Sequence, residues 1–121
     1  MAHIVIIDDE DIVLKSLQAM LESGGHEVLT ASNGEIGIEL CRREKTDLVI
    51  TDLLMPEKGG IEVIVGLQKD MPNIKIIAIT GGGQMGDLNF LKHAEMLGAA
   101  RSLEKPILRQ ELLKAVDEVL G

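Results

Sequence analysis

Ile4-Val5-Ile6-Ile7 and Leu48-Val49-Ile50 are apolar at every position, and Ile74 to Ile79 is interrupted only by Lys75. Runs this short and this uniformly apolar predict strands buried on both faces, as in a parallel sheet covered by helices. Each run closes on polar residues: Asp8-Asp9-Glu10-Asp11 after the first, Thr51-Asp52 after the second and Thr80 after the third. His26 to Ala31 alternates instead, with Val28 and Thr30 on one side, and predicts a half-buried strand nearer an edge. A fifth, short strand is predicted around Ala100 to Glu104.

Between these runs the period changes to that of a helix. Val13, Leu14, Leu17, Met20 and Leu21 mark a first helix, stopped by Gly24-Gly25. Ser32-Asn33-Gly34-Glu35 has capping-box spacing, so a second helix should begin there and run to about Arg43. Ile61, Ile64, Val65 and Leu67 predict a third, halted before Pro72. Leu88, Leu91, Ala94 and Leu97 predict a fourth, ended by Gly98, and Leu108, Leu112, Ala115, Val116 and Val119 form the inner face of a last one. Five strands alternating with five helices imply right-handed βαβ crossovers and a parallel sheet between two helix layers.

The length of 121 residues suits a single domain over residues 1–121, with no repeat, linker or output domain expected. Phe90 is the only aromatic residue and the net charge is -8. Base-stacking modules need aromatic platforms and phosphate-backbone binders need a basic footprint, so no direct nucleic-acid partner is expected. The one cysteine, Cys41, sits in an apolar helical pattern and reads as a buried reduced thiol, which fits a reducing cytoplasm, and no signal peptide is expected at the amino terminus, so a cytoplasmic location is expected. No stretch approaches the roughly 18 apolar residues of a membrane span. His3, His26 and His93 are scattered and read as surface or edge residues, and Arg42-Arg43-Glu44-Lys45 as a solvated helix end.

Ligands of open α/β sheets bind outside the carboxyl ends of the strands. Asp52 alone reads equally well as a cap of the following turn, but the other strand ends carry Asp8-Asp9, Thr80 and Lys105, and a parallel sheet puts all of these on one edge. Two unit charges 4 Å apart repel by about 4 kcal/mol at an effective dielectric of 20, so clustered carboxylates need a divalent cation, the Lys105 ammonium, or a proton. An all-oxygen set with no His or Cys at ligand spacing suits Mg²⁺ better than Zn²⁺.

With these residues in these places the chain resembles, from end to end, the receiver domain of bacterial two-component response regulators. The elements that carry the likeness are Asp8-Asp9, Asp52 followed by Met55-Pro56 and Gly60, Thr80, and Lys105-Pro106. The resemblance implies a flavodoxin-like (βα)5 fold, doubly wound, with strand order 2-1-3-4-5. It implies that Asp52 is the phosphoacceptor, taking a phosphoryl group from a sensor histidine kinase or a histidine phosphotransfer protein. Asp9 would bind Mg²⁺ directly, Asp8 mainly through water, and the Leu54 backbone carbonyl would complete the protein ligands with Asp52. Thr80 and Lys105 would contact phosphoryl oxygens, and Lys105-Pro106 would be cis. Such a module is not an enzyme acting on a substrate, although Mg²⁺-dependent self-phosphorylation and autodephosphorylation would occur at the site. It would act as a stand-alone regulator in a phosphorelay, through a downstream protein on the face of the fourth helix, fifth strand and last helix.

Two features depart from that family. Ser102 stands where a Tyr or Phe usually precedes the lysine, so ring reorientation cannot be the readout; Phe90 is the candidate substitute, although it suits packing against the sheet at least as well. Gly81-Gly82-Gly83 is costly to order, which predicts that residues 81–87 form the mobile element of the switch, and Leu54 and Gly82 occupy positions that tune phosphoryl lifetime. Besides a structural pseudo-receiver, against which the presence of all five elements argues, two other functions fit parts of the chain. Gly81 to Gly86 fits G-x-G-x-x-G, but the dinucleotide fingerprint belongs on the first strand of its unit. A haloacid-dehalogenase-like phosphohydrolase needs a second acid two residues after its nucleophile, where this chain has Leu54.

Overall fold

The computed structural model describes residues 1–53, 60–81 and 98–121. These form strands β1 (His3–Ile7), β2 (Glu27–Ala31), β3 (Leu48–Asp52), β4 (Lys75–Thr80) and β5 (Arg101–Glu104), with helices α1 (Asp11–Ser23), α2 (Gly34–Arg43), α3 (Gly60–Asp70) and, last in the chain, α4 (Arg109–Leu120). The sheet is parallel throughout, in the order β2-β1-β3-β4-β5. The predicted helix over residues 88–97, with Phe90 and His93, lies outside the described residues. So do Leu54, Met55-Pro56, Gly82 and most of the predicted switch loop.

Residue parity along the strands sorts the core into two layers, because successive side chains of a strand point to opposite faces. Ile4, Ile6, Leu48, Ile50, Ile77, Ile79 and Leu103 pack with α1 and α4, whereas Val5, Ile7, Val49, Ile76 and Ala78 pack with α2 and α3. The register aligns Ile6 with Ile50, Ile50 with Ile77 and Ile79 with Leu103, so each layer is a continuous stripe across the strands. β2 lies at the edge with the half-buried alternation read from its sequence.

Some side chains differ from the sequence reading. Val65 is 49% exposed while Val63 is buried, because positions 63, 64 and 67 share the face of α3 that meets the sheet. Leu108 is 69% exposed: it is the N-cap residue of α4, outside the helical period that buries Leu112, Ala115 and Val116. The cap of α2 is Asn33, whose Oδ1 accepts from Ile36 N at 2.9 Å, one residue later than the predicted Ser32. Asn is an equally good N-cap, and its extended backbone places the side chain over the first turn. Arg42 is solvated but also bonds Asp70 of α3 at 2.5 Å, tying α2 to α3. Cys41 is buried, and burial pushes its thiol up to about 11, with the nearby Thr46 offsetting this only in part.

Two glycines inside helices face opposite constraints. A Cβ on Gly37 would stand 2.2 Å from Ile7 Cδ1, a wholly buried side chain of β1, so α2 approaches the sheet only because that Cβ is missing. A Cβ on Gly66 would make ordinary contact with Ile38 Cδ1 at 3.4 Å. Gly66→Ala should therefore stabilise the fold by about 0.5–1 kcal/mol through helix propensity, while Gly37→Ala should lose about 1–2 kcal/mol net to overpacking. Denaturant unfolding of both variants checks this, and equal signs would contradict the close approach of α2.

Candidate functional site

Continuing the parity of the α1/α4 layer by one step past each strand explains the site. Ile4, Ile6 and Asp8 follow one stripe, Leu48, Ile50 and Asp52 the next, and Leu103 leads to Lys105. Three ionisable groups far apart in sequence thus leave the same face of the sheet at the same edge. Asp8 is wholly buried and Asp52 is 3% exposed. The Lys105 ammonium lies 2.9 Å from Asp8 Oδ2 and 3.3 Å from Asp52 Oδ2. Lys105-Pro106 is a cis peptide, as the resemblance implied.

Backbone bonds fix these positions. Asp8 N donates to Ala31 O at 3.1 Å, Leu53 N to Ile79 O at 2.9 Å, and Lys105 N to Thr80 O at 2.7 Å. Asp8 Oδ1 accepts from Glu10 N at 2.8 Å, a local turn in which an Asp side chain bonds the backbone two residues on. Thr80 is buried at the end of β4, on the parity of Ile76 and Ala78.

Sequence reasoning overlooked Glu10. It occupies the N-cap position of α1 without making a side-chain cap, and its Oε1 reaches the Lys105 ammonium at 3.1 Å instead. The signal available in the sequence was the third acid of Asp8-Asp9-Glu10 directly before a helix. Asp9 is exposed yet near enough to join the group: one carboxylate oxygen from each of Asp8, Asp9, Glu10 and Asp52 lies within 4.8 Å of the others. Asp11 belongs elsewhere, pairing with Lys15 along α1 at 3.1 Å.

The electrostatics are lopsided. Burial raises the Asp8 carboxyl above its ordinary value, and the Glu10 backbone N–H and the Lys105 ammonium only partly offset this. Burial also works against the Lys105 ammonium, but the close contact with Asp8 and the charges of Asp52 and Asp8 outweigh it and hold its value above that of an ordinary lysine. Both shifts are upward for different reasons: burial outweighs the Lys105 ammonium at Asp8, while the surrounding carboxylates outweigh burial at Lys105. Asp8 Oδ2 also finds no hydrogen-bond partner among the described residues, since its contact with the ammonium is an ion pair outside hydrogen-bonding geometry. A buried carboxylate oxygen with spare acceptor capacity, in an all-oxygen set, fits a hard divalent cation. The site also adjoins an apolar groove lined by Ile12, Leu17, Pro106 and Ile107.

Comparison with known proteins gives the same grouping of residues a lineage. The chain is 39% identical to the protein PilH of Pseudomonas aeruginosa, the match covering 100% of this chain and 99% of PilH. It is 36% identical to the transcriptional regulatory protein GlrR of Escherichia coli, covering 98% of this chain but only 26% of GlrR, so it spans about a quarter of that relative. The crystal structure of a response regulator receiver domain protein from Clostridium thermocellum superposes with a TM-score of 0.91 at 34% identity, over 99% of this chain and 94% of that one. Residues 4–117 match the response regulator receiver domain family, and the chain belongs to that family of two-component signalling modules.

Proposed function

We propose that this chain is switched by a phosphoryl group carried on Asp52. The observation that supports this reading is the meeting, at one sheet edge, of a nearly buried carboxylate with an ammonium 3.3 Å away and further acids within 4.8 Å. Phosphoryl transfer asks a protein for little covalent chemistry and much positioning and charge neutralisation. A carboxylate oxygen of Asp52 attacks phosphorus as the P–N bond of a phosphohistidine breaks, and the imidazole leaves with the bonding electrons and takes a proton. Lys105 pairs with one oxygen of the transferred group and the Thr80 hydroxyl donates to another.

Asp8, Asp9 and Asp52, with the Leu54 carbonyl, would hold Mg²⁺, which when bound neutralises charge on the phosphoryl oxygens. The donor is a sensor histidine kinase or histidine phosphotransfer protein. The apolar groove beside Lys105, with Ile12 83% exposed at its lip, favours a protein donor over a small molecule. Output passes to a downstream protein on the face built from the predicted fourth helix, β5 and α4, of which the described half is joined by an Arg101–Glu118 ion pair at 2.5 Å. The module works in the cytoplasm as a switch rather than as an enzyme with a released product. Among the described residues no helix is long and apolar enough to cross a membrane.

Incubation with Mg²⁺ and a small phosphodonor should add one phosphoryl group to the wild type by intact mass, none to Asp52→Ala, and none to the wild type in excess chelator. Equal gain on wild type and Asp52→Ala would end this assignment.

The upward shift of Asp8 carries a stability consequence. A carboxyl raised on folding favours the fold while protonated, and that contribution is lost as pH rises through its folded value, so ionised Asp8 weakens the metal-free fold at neutral pH. Lys105 follows the same sign at the alkaline end, stabilising fully below the ordinary lysine value and ceasing to do so as pH climbs past its raised one. Asp8→Asn, unfolded by denaturant in chelator at pH 7, should be more stable than wild type by about 0.5–2 kcal/mol while binding Mg²⁺ more weakly. Equal or lower stability of this variant would show that Lys105 fully compensates the buried charge.

A further inference from the structure

The Lys105 ammonium donates to Glu10 Oε1 at 3.1 Å and Asp52 Oδ2 at 3.3 Å and forms an ion pair with Asp8 Oδ2 at 2.9 Å, so three carboxylates crowd around it. If Asp52 is the phosphoacceptor, a reading on which this step rests, a phosphoryl oxygen enters that crowded shell by displacing one of the carboxylates. The three differ in what release costs. Asp8 is wholly buried, so leaving it unpaired incurs a full desolvation penalty. Asp52 carries the new group and stays beside it. The Glu10 side chain is 62% exposed, so water replaces the ammonium at little cost. Glu10 also has no capping bond to break, because its side chain does not cap α1 and its backbone N–H is held by Asp8 Oδ1.

We propose that Glu10 is the exchangeable counter-ion of Lys105, a positioning residue that holds the ammonium in the unphosphorylated chain and yields it to the phosphoryl group. Its hold competes with phosphoryl capture. The contact depends on reach as well as charge, which separates it from the general repulsion that any nearby acid exerts on an anionic donor. Asp11, one residue on and paired with Lys15, supplies the comparison for charge alone.

The test uses the whole chain with Mg²⁺ and phosphoramidate, following mass gain over time for wild type, Glu10→Gln, Glu10→Asp and Asp11→Asn. Losing an exposed ion pair should speed capture by about two- to fivefold in Glu10→Gln. Glu10→Asp keeps the charge but is one methylene short, and should resemble Glu10→Gln rather than wild type. In the metal-free chain, carbon relaxation at the Lys105 ε-methylene should report lower side-chain order in both Glu10 variants and no change in Asp11→Asn. Glu10→Asp behaving as wild type, or unchanged Lys105 order, would overturn the exchange while leaving the phosphoacceptor reading intact. A wild type that takes up no phosphoryl group overturns both.

Discussion

One ammonium set among three carboxylates is the interaction on which this molecule turns. Asp8 and Asp52 are nearly stripped of water at neighbouring strand ends, and like charges at such distances repel by several kcal/mol at any dielectric typical of protein. Lys105 makes the arrangement tolerable without satisfying it: Asp8 stays shifted upward and one of its oxygens lacks a hydrogen bond among the described residues. The unsatisfied remainder leaves the cluster with more negative charge than Lys105 balances. A fully compensated cluster would be more stable and would have less to gain from a cation or an incoming phosphoryl group with its metal.

Such a cluster needs a rigid frame, and the all-apolar strands provide it. β1, β3 and β4 are buried on both faces and cannot slip by one residue without turning an acid into the core and an isoleucine out of it. The same parity that fills the two layers aims Asp8, Asp52 and Lys105 to one side. Core and site are therefore one pattern read at different points along the strands.

That unity explains what was legible in the sequence. Short, almost wholly apolar runs announced three strands, their polar ends announced the candidate site, and the five-strand parallel order followed from the family likeness. Side chains whose surroundings depend on helix phase were read less well: Val65 and Leu108 are apolar but exposed, because apolar character says nothing about which side of a turn a residue occupies. Arg42 read as solvated because its bond to Asp70 exists only once α2 and α3 have packed. Glu10 escaped notice for a similar reason. An acid before a helix has an ordinary explanation in capping, and only coordinates show that the side chain declines that role for Lys105.

Ser102 removes the aromatic ring that such domains commonly rotate, and it is half-buried on β5 with neither a ring nor the bulk to replace one. Among the described residues a backbone link joins the site to β5. Lys105 N donates to Thr80 O at 2.7 Å, and Thr80 is in register with Glu104. The two residues that would grip a phosphoryl group are thus bonded to each other, so a displacement of either moves both. Because β5 is an edge strand, held on one side only by β4, that displacement meets less resistance than it would in the sheet centre. The edge also carries Arg101, whose ion pair with Glu118 reaches α4. A change in the charge around Lys105 therefore has a continuous covalent and hydrogen-bonded route to the outer face of β5 and α4 that requires no aromatic side chain.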